Sequence, residues 1–251
     1  MYMKIIISPA KKMKNDCAYI TAMSTPVFIE KSEKLKQYLQ SLSYDELKKL
    51  LVCNDEIAQL NYDRYKNMDL YHNATPALLS YDGIQYKYMA PDVFEESYFD
   101  YVNTHLRILS GFYGVVKPMD KVVPYRLEMQ AKMKTPFCKN VYDFWKDDLY
   151  KELTKDDHVI LNLASDEYSK AITKYCTDKD KVISCVFGEL VNDKVKEKGV
   201  YVKMARGEMV RFMAENNIED IEAIKMFNRL NFVYNEALST ENKYVFIREG
   251  K

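Results

Sequence analysis

The chain is sparing with the residues that punctuate, cross-link or ligate. Glycine and proline number seven each among 251 residues, tryptophan occurs once and histidine three times. No internal repeat and no low-complexity linker is present, which excludes solenoid, collagen-like and linker-rich architectures. No apolar run approaches the roughly 18 residues that a membrane-spanning helix needs. The apolar run at the amino end, Ile5 to Ile7, stops at once at Pro9, Lys11 and Lys12. That is too short for a secretory signal, so a cytoplasmic protein with no membrane partner is expected.

Five cysteines, Cys17, Cys53, Cys138, Cys176 and Cys185, are an odd number, widely spaced and without a C-x-x-C pair. This excludes a disulfide framework and a zinc ribbon, and the thiols read as small core residues. His72, His105 and His158 are far apart and show no ligand spacing, so neither a metal nor a cofactor is expected. The phosphate-binding G-x-x-x-x-G-K-[ST] and G-x-G-x-x-G loops are missing, as is the G-x-S-x-G nucleophile elbow. No catalytic residue is identified by motif.

What is present is balanced but unevenly distributed charge: 37 basic and 37 acidic residues. Between Arg107 and Lys134 the basic residues Lys117, Lys121, Arg126 and Lys132 outnumber Asp120 and Glu128. Between Lys194 and Arg211 they outnumber Glu197 and Glu208, while Asp92 to Asp100 carries acids alone. Separated charge lets a neutral chain own a positive face.

Periodicity predicts an α/β fold, with one mixed β-sheet surrounded by helices and a helical excursion over residues 28–80. Ile5–Ser8 reads as a buried strand. A helix follows over 27–42, then two more from 43 to 68. Ser43 with Glu46 has the spacing of a capping box, and Asn54 caps the second of these. This pair reads either as a plain αα-hairpin or as a helix–hairpin–helix whose turn lacks glycine. Asp82-Gly83 signals a turn, and the alternation of Ile84, Tyr86 and Tyr88 predicts a strand. A helix to about Leu106 leads into strands flanking Gly111 and Gly114, then an extended Val122–Met129. One helix is expected from Tyr142 to Leu153, a strand at His158–Leu163 and a helix capped by Ser165. Strands follow at Lys181–Phe187 and Val200–Met204, the latter running into a helix that ends near Asn217. Ile218–Phe227 reads as helix, and the carboxyl tail as an antiparallel strand pair.

Ligands of open α/β sheets sit at strand ends. Here strands end in small residues with a charge alongside: "SPAKK", "GFYG", "NLASDEY" and "VKMARG". Gathered at one edge, Ser8, Lys11, Arg107, Arg126, Glu128, Asn162, Ser165 and Arg206 make a polar cleft in which arginines fork onto phosphate. Gly111 and Gly114 either bare a strand edge for a visitor or permit tight packing.

The stretches "IISPAK", "YDGIQY", "HLRILSGFYGVVKPMDKVVPYRLEM", "YDFW", "LNLASDEY" and "KMARGEMVRFMAENNI" resemble, in order, the YaaA family of peroxide-stress-response proteins. Residues 14–73 and the extreme carboxyl end match loosely. The resemblance implies a bacterial cytoplasmic α/β protein with a positively charged cleft, linked to survival of hydrogen peroxide and to limiting free iron. It also implies DNA binding with a helix–hairpin–helix element falling within residues 43–68. It places Ser8, Lys11, Arg107, Arg126, Glu128, Ser165, Glu167 and Arg206 at the cleft.

Three functions follow. As a DNA-binding protein, the chain would contact phosphates through Lys11, Lys12, Arg107, Lys117, Arg126, Lys203, Arg206 and Arg211, with steep salt dependence. As an enzyme on a nucleotide or other phosphorylated small molecule, it would use Glu128, Asp166 or Glu167 as general base, with Lys11 and Arg126 on the anion. As an interaction protein, it would use its separated charge for docking alone.

Overall fold

The computed structural model describes residues 3–15 and 24–249. Cys17 lies outside them. Eight strands form one sheet: β1 (Lys4–Ile7), β2 (Leu106–Ser110), β3 (Gly114–Val116), β4 (Val159–Leu163), β5 (Lys181–Val191), β6 (Lys194–Lys196), β7 (Phe232–Tyr234) and β8 (Lys243–Arg248). Their order is β7-β8-β5-β4-β1-β2-β3, with β6 paired to β5. The five strands from β8 to β2 run parallel, and β3, β6 and β7 are antiparallel additions. Parallel strands bury both faces, so they read as unbroken apolar runs rather than alternations. All four residues of β1 are buried.

The order carries a consequence for ligand binding. β1 is hydrogen-bonded to β2 on one side and to β4 on the other. The chain fills one flank from β1 and the other from β4 onward. The carboxyl ends of β1 and β4 therefore flank the point where strand order reverses, where such sheets leave a crevice.

Among the described residues, the long helices of the first third are α1 (Ile29–Ser41), α2 (Tyr44–Leu51) and α3 (Asp55–Lys66). The capping box of α2 forms as its spacing dictates. The Ser43 side chain takes the Glu46 N–H, and Glu46 Oε2 accepts the Ser43 N–H at 2.8 Å. Asn54 Oδ1 accepts the Ile57 N–H at 3.0 Å and starts α3. Leu35, Leu39, Leu47, Leu50 and Leu51 from these helices belong to the same continuous core as the sheet.

Four segments differ from their predicted form. Residues 84–88 make a helix, α4 (Ile84–Met89), because Gln85, Tyr86 and Met89 are the buried positions. Five alternating residues are too few to separate the two periods. After α5 (Glu96–His105), the stretch 142–153 is two short helices, α6 (Val141–Trp145) and α7 (Asp148–Leu153), broken where Lys146 takes a positive φ of 48°. Following α8 (Asp166–Thr173), the expected strand at 200–204 is the first turn of α9 (Gly199–Glu215). Val200 is exposed there, while Val202, Ala205 and Met209 are buried at helical spacing. The expected helix at 218–227 is a 3₁₀ helix over Ile221–Met226.

Val122–Met129 is extended mostly without sheet pairing, held by tyrosine hydroxyls. Tyr113 Oη accepts the Val123 N–H at 3.1 Å, and Tyr65 Oη on α3 donates to the Arg126 carbonyl at 2.7 Å. Tyr125 Oη lies 2.5 Å from Ser110 Oγ and 2.8 Å from Tyr81 Oη, and burial pushes its pKa up to about 12. Gly111 admits this segment. A β-carbon there would overlap the Leu127 carbonyl oxygen and stand 3.0 Å from the Glu128 carbonyl carbon. The visitor at that bare strand edge is the protein's own chain.

Candidate functional site

At the reversal point the ends of β1 and β4 are joined by Ser8, the first residue beyond β1, and Ser165, the second beyond β4. Ser8 Oγ accepts the Ser165 backbone N–H at 2.9 Å and lies 3.2 Å from Ser165 Oγ. Ser165 precedes α8 but its side chain does not cap it. A cleft of about 440 Å³ opens here. Its walls come from Ser8 to Lys12, from Asp82 to Tyr86 at the start of α4, from Ser165, Glu167 and Tyr168 of α8, and from Lys203 and Arg206 of α9.

Close packing of α4 on α9 sets the far wall. A β-carbon at Gly207 would overlap the Gln85 carbonyl oxygen and stand 2.9 Å from the Met89 amide nitrogen. Only glycine allows this approach, and Arg206 and Gln85 line the same cleft from the two helices. Tyr86 Oη ties α4 to β1 by donating to the Ser8 carbonyl at 3.0 Å.

Among the predicted residues, Ser8, Lys11, Lys12, Ser165, Glu167, Lys203 and Arg206 converge on this cleft. Arg126 and Glu128 stand beside it as a pair: Arg126 Nη2 is 3.1 Å and Lys11 Nζ 3.2 Å from the same Glu128 Oε1. Arg126 is thus largely neutralised, and its buried Nε has no acceptor among the described residues. Asn162 turns inward, accepting the Ala164 N–H at 2.9 Å and donating to Ser184 Oγ at 3.1 Å.

Three predicted residues lie elsewhere. Arg107 is in register with Ile6, at the amino-terminal side of β2, and donates to the Asn103 and Leu106 carbonyls at 3.0 and 2.7 Å. Lys117 follows Val116, which pairs with Ile108 on an antiparallel strand, so it emerges at the same far edge. Arg211 donates to Glu215 Oε1 at 2.6 Å, one turn along α9. In each case sequence proximity to a motif stood in for position; strand direction decided otherwise for Arg107 and Lys117, and an ion pair along α9 for Arg211.

The electrostatics of the cleft favour anions. Arg206 Nε and Gln85 Nε2 are buried donors with no acceptor among the described residues. Burial lowers the pKa of the Arg206 guanidinium, partly offset by Glu197. Burial raises that of Glu167, and the neighbouring Glu128 charge adds to this, against the Gln130 N–H that its carboxylate accepts at 3.3 Å. The cleft's own carboxylate is therefore biased towards its uncharged form. Asp82 is paired with Lys87 at 3.6 Å.

A second basic surface adjoins the first through Glu167, and the motifs did not reveal it. Tyr142 Oη donates to the Glu167 carbonyl at 2.7 Å. Lys170 and Lys174 stand 4.7 and 5.8 Å from the Tyr142 ring centre, and Lys132, Lys134 and Lys139 line the concavity next to it. Gln85 was missed too. Its signal was an amide side chain on the buried face of a six-residue helix, a face the strand reading concealed.

Fold and cleft together define an α/β protein with a mixed sheet and a cation-lined crevice at the switch point of the sheet. A family model described as Peroxide stress protein YaaA matches residues 3–238. A UPF0246 protein of Desulfitobacterium hafniense is 65% identical over 246 residues, covering 98% of both chains. UPF0246 proteins of Agathobacter rectalis and Pediococcus pentosaceus are 53% and 48% identical, each over 98% of this chain. The chain belongs to the YaaA family of peroxide stress proteins. Among the described residues, no helix is long and apolar enough to cross a membrane.

Proposed function

We propose that this peroxide stress protein binds DNA through the basic cleft and the lysine face beside it, and so limits damage linked to free iron. The observation that carries the reading is the convergence of Lys11, Lys12, Lys203 and Arg206 on one concavity, with the Arg206 Nε still lacking an acceptor. Cations that already hold carboxylates have less to offer phosphate. Among the described residues, the cleft cation that does so is Lys11, sharing Glu128 with Arg126.

The contacts are to phosphate, so binding is directed by the backbone and falls steeply with salt. Tyr142, flanked by Lys170 and Lys174, offers a ring on which an unpaired base can stack. The iron link needs no metal site of its own. A protein that neutralises phosphates releases the cations condensed on them, Fe²⁺ included. The α2–α3 hairpin has no part in this reading, since Asn54 already occupies an amide that a phosphate there would need.

Fluorescence anisotropy of a labelled oligonucleotide at low salt tests the reading. The double variant Lys203→Ala/Arg206→Ala should weaken binding at least tenfold, while Lys117→Ala, at the opposite edge, should not. No binding by the wild type would refute the reading. Equal loss with Lys117→Ala would show that the cleft is the wrong surface.

A further inference from the structure

We infer that the inner end of the cleft is a seat for a phosphate monoester, the free terminal phosphate of a strand or of a nucleotide, with Arg206 and Gln85 as its clamp. This rests on the reading that the cleft receives phosphate, and it narrows which phosphate.

The first ground is a count of donors. Gln85 is 7% exposed, lines the cleft and has an Nε2 without an acceptor. Beside it the Arg206 Nε is buried and equally without one. Opposite them stand the two serines. One hydroxyl hydrogen of the pair is used between Ser8 Oγ and Ser165 Oγ, and Ser8 Oγ also accepts the Ser165 N–H. One hydroxyl hydrogen remains to point into the cleft. Donors of three kinds thus belong to residues that line one cavity. Buried donors left without acceptors are costly, so their pairing signals a ligand rich in acceptors.

The second ground is shape. Ser8 and Ser165, just beyond the ends of β1 and β4, line the cavity, and its volume of about 440 Å³ falls in the range of small-molecule sites. An internal phosphodiester has a sugar on each side and offers two free oxygens. With a sugar on either side it enters a concave cavity less readily than a terminal phosphate does. A monoester offers three free oxygens, one each for Arg206, Gln85 and the serine hydroxyl.

The third ground is charge. A monoester carries close to two negative charges near neutral pH. Lys11, Lys12 and Lys203 supply the balance, while of the two lining carboxylates Glu167 accepts the Gln130 N–H and Asp82 is paired with Lys87.

The test compares one single-stranded oligonucleotide carrying a 5′-phosphate, a 3′-phosphate or hydroxyls at both ends, with AMP and adenosine as free ligands. A terminal phosphate should tighten wild-type binding at least tenfold over the hydroxyl strand, and AMP should bind where adenosine does not. AMP binding as tight as that of the phosphorylated strand identifies a free nucleotide as a sufficient source. Weaker AMP binding identifies the strand end. The ratio of phosphorylated to hydroxyl affinity should fall to near one in Gln85→Leu and again in Arg206→Lys, with native melting temperatures confirming the fold. No gain from a phosphate at either end, together with no binding of AMP, overturns the seat, even if the hydroxyl strand still binds. Binding of AMP without binding of any strand leaves the seat standing and overturns the DNA reading instead.

Discussion

Ser8 Oγ accepts the backbone N–H of Ser165 at 2.9 Å across 157 residues of sequence. This bond joins the ends of two neighbouring parallel strands and fixes the start of α8, hence the placement of Glu167 and Tyr168 in the cleft wall. Ser8→Ala should leave the Ser165 amide without its acceptor, a loss of about 1 kcal/mol or somewhat more. In a chain of this size that is a melting temperature lower by about 2–4 °C per kcal/mol. Calorimetry of the variant checks it, and an unchanged melting point would show that water replaces the hydroxyl at no cost.

Gly207→Ala sets two effects against each other. Alanine in place of glycine favours a helix by about 1 kcal/mol. Here its β-carbon would overlap the Gln85 carbonyl and crowd the Met89 amide, both backbone atoms that cannot rotate away. Overpacking of this kind costs about 1–3 kcal/mol, so the net effect should be destabilising. Because the shift separates α4 from α9, anion affinity should fall together with stability. A chemical-denaturation curve and a binding titration on the same sample measure both.

Glu167 makes a pH-dependent prediction. Its pKa in the folded protein lies above the ordinary carboxylate value of 4.5, chiefly because it is buried. The protonated form is therefore the one the fold favours. Its contribution to stability is complete below that ordinary value and is lost as the pH rises through the folded one. The cleft also sheds a negative charge as the pH falls, so anion affinity should increase on acidification over the same window. Glu167→Gln should bind more tightly than wild type at neutral pH and should flatten this part of the profile. Titrations at several pH values, at constant ionic strength, decide it.

Much of the scaffold could be read directly from the chain. Buried strands announced themselves as short apolar runs, and the caps at Ser43 and Asn54 formed as their residue types dictate. Long helices with several turns of pattern were recoverable, whereas the six residues of α4 were not. Placement of the site was half legible. "SPAK" and "NLASDEY" end neighbouring parallel strands, so adjacency in the sheet brought their side chains together. Arg107 sits at the start of its strand rather than its end, and that distinction depends on where the strand begins. The role of Gly207 was hidden because it lies in a contact between helices more than a hundred residues apart in the chain.

The thiols offer a test of a different kind. Burial holds Cys53, Cys176 and Cys185 above the usual thiol range, Cys176 at about 11. A thiol reacts with peroxide as its thiolate, so these three should oxidise slowly in the native state. Mass spectrometry after brief peroxide exposure should find them reduced in folded protein and modified only once it is denatured. Rapid sulfenic acid formation at any of the three would show a local environment that favours the thiolate.

The most direct measurement of phosphate binding by the cleft is the salt dependence of affinity for a single-stranded oligonucleotide. Each phosphate contact contributes a slope of about −0.7 in log K against log salt. Lys11, Lys12, Lys203 and Arg206 together should give about −3, made steeper by any contacts from the face around Tyr142. Removing Lys12 and Lys203 should make the slope shallower by about 1.4. A slope near zero in the wild type, or one that these substitutions leave unchanged, would contradict the assignment of this cleft to phosphate.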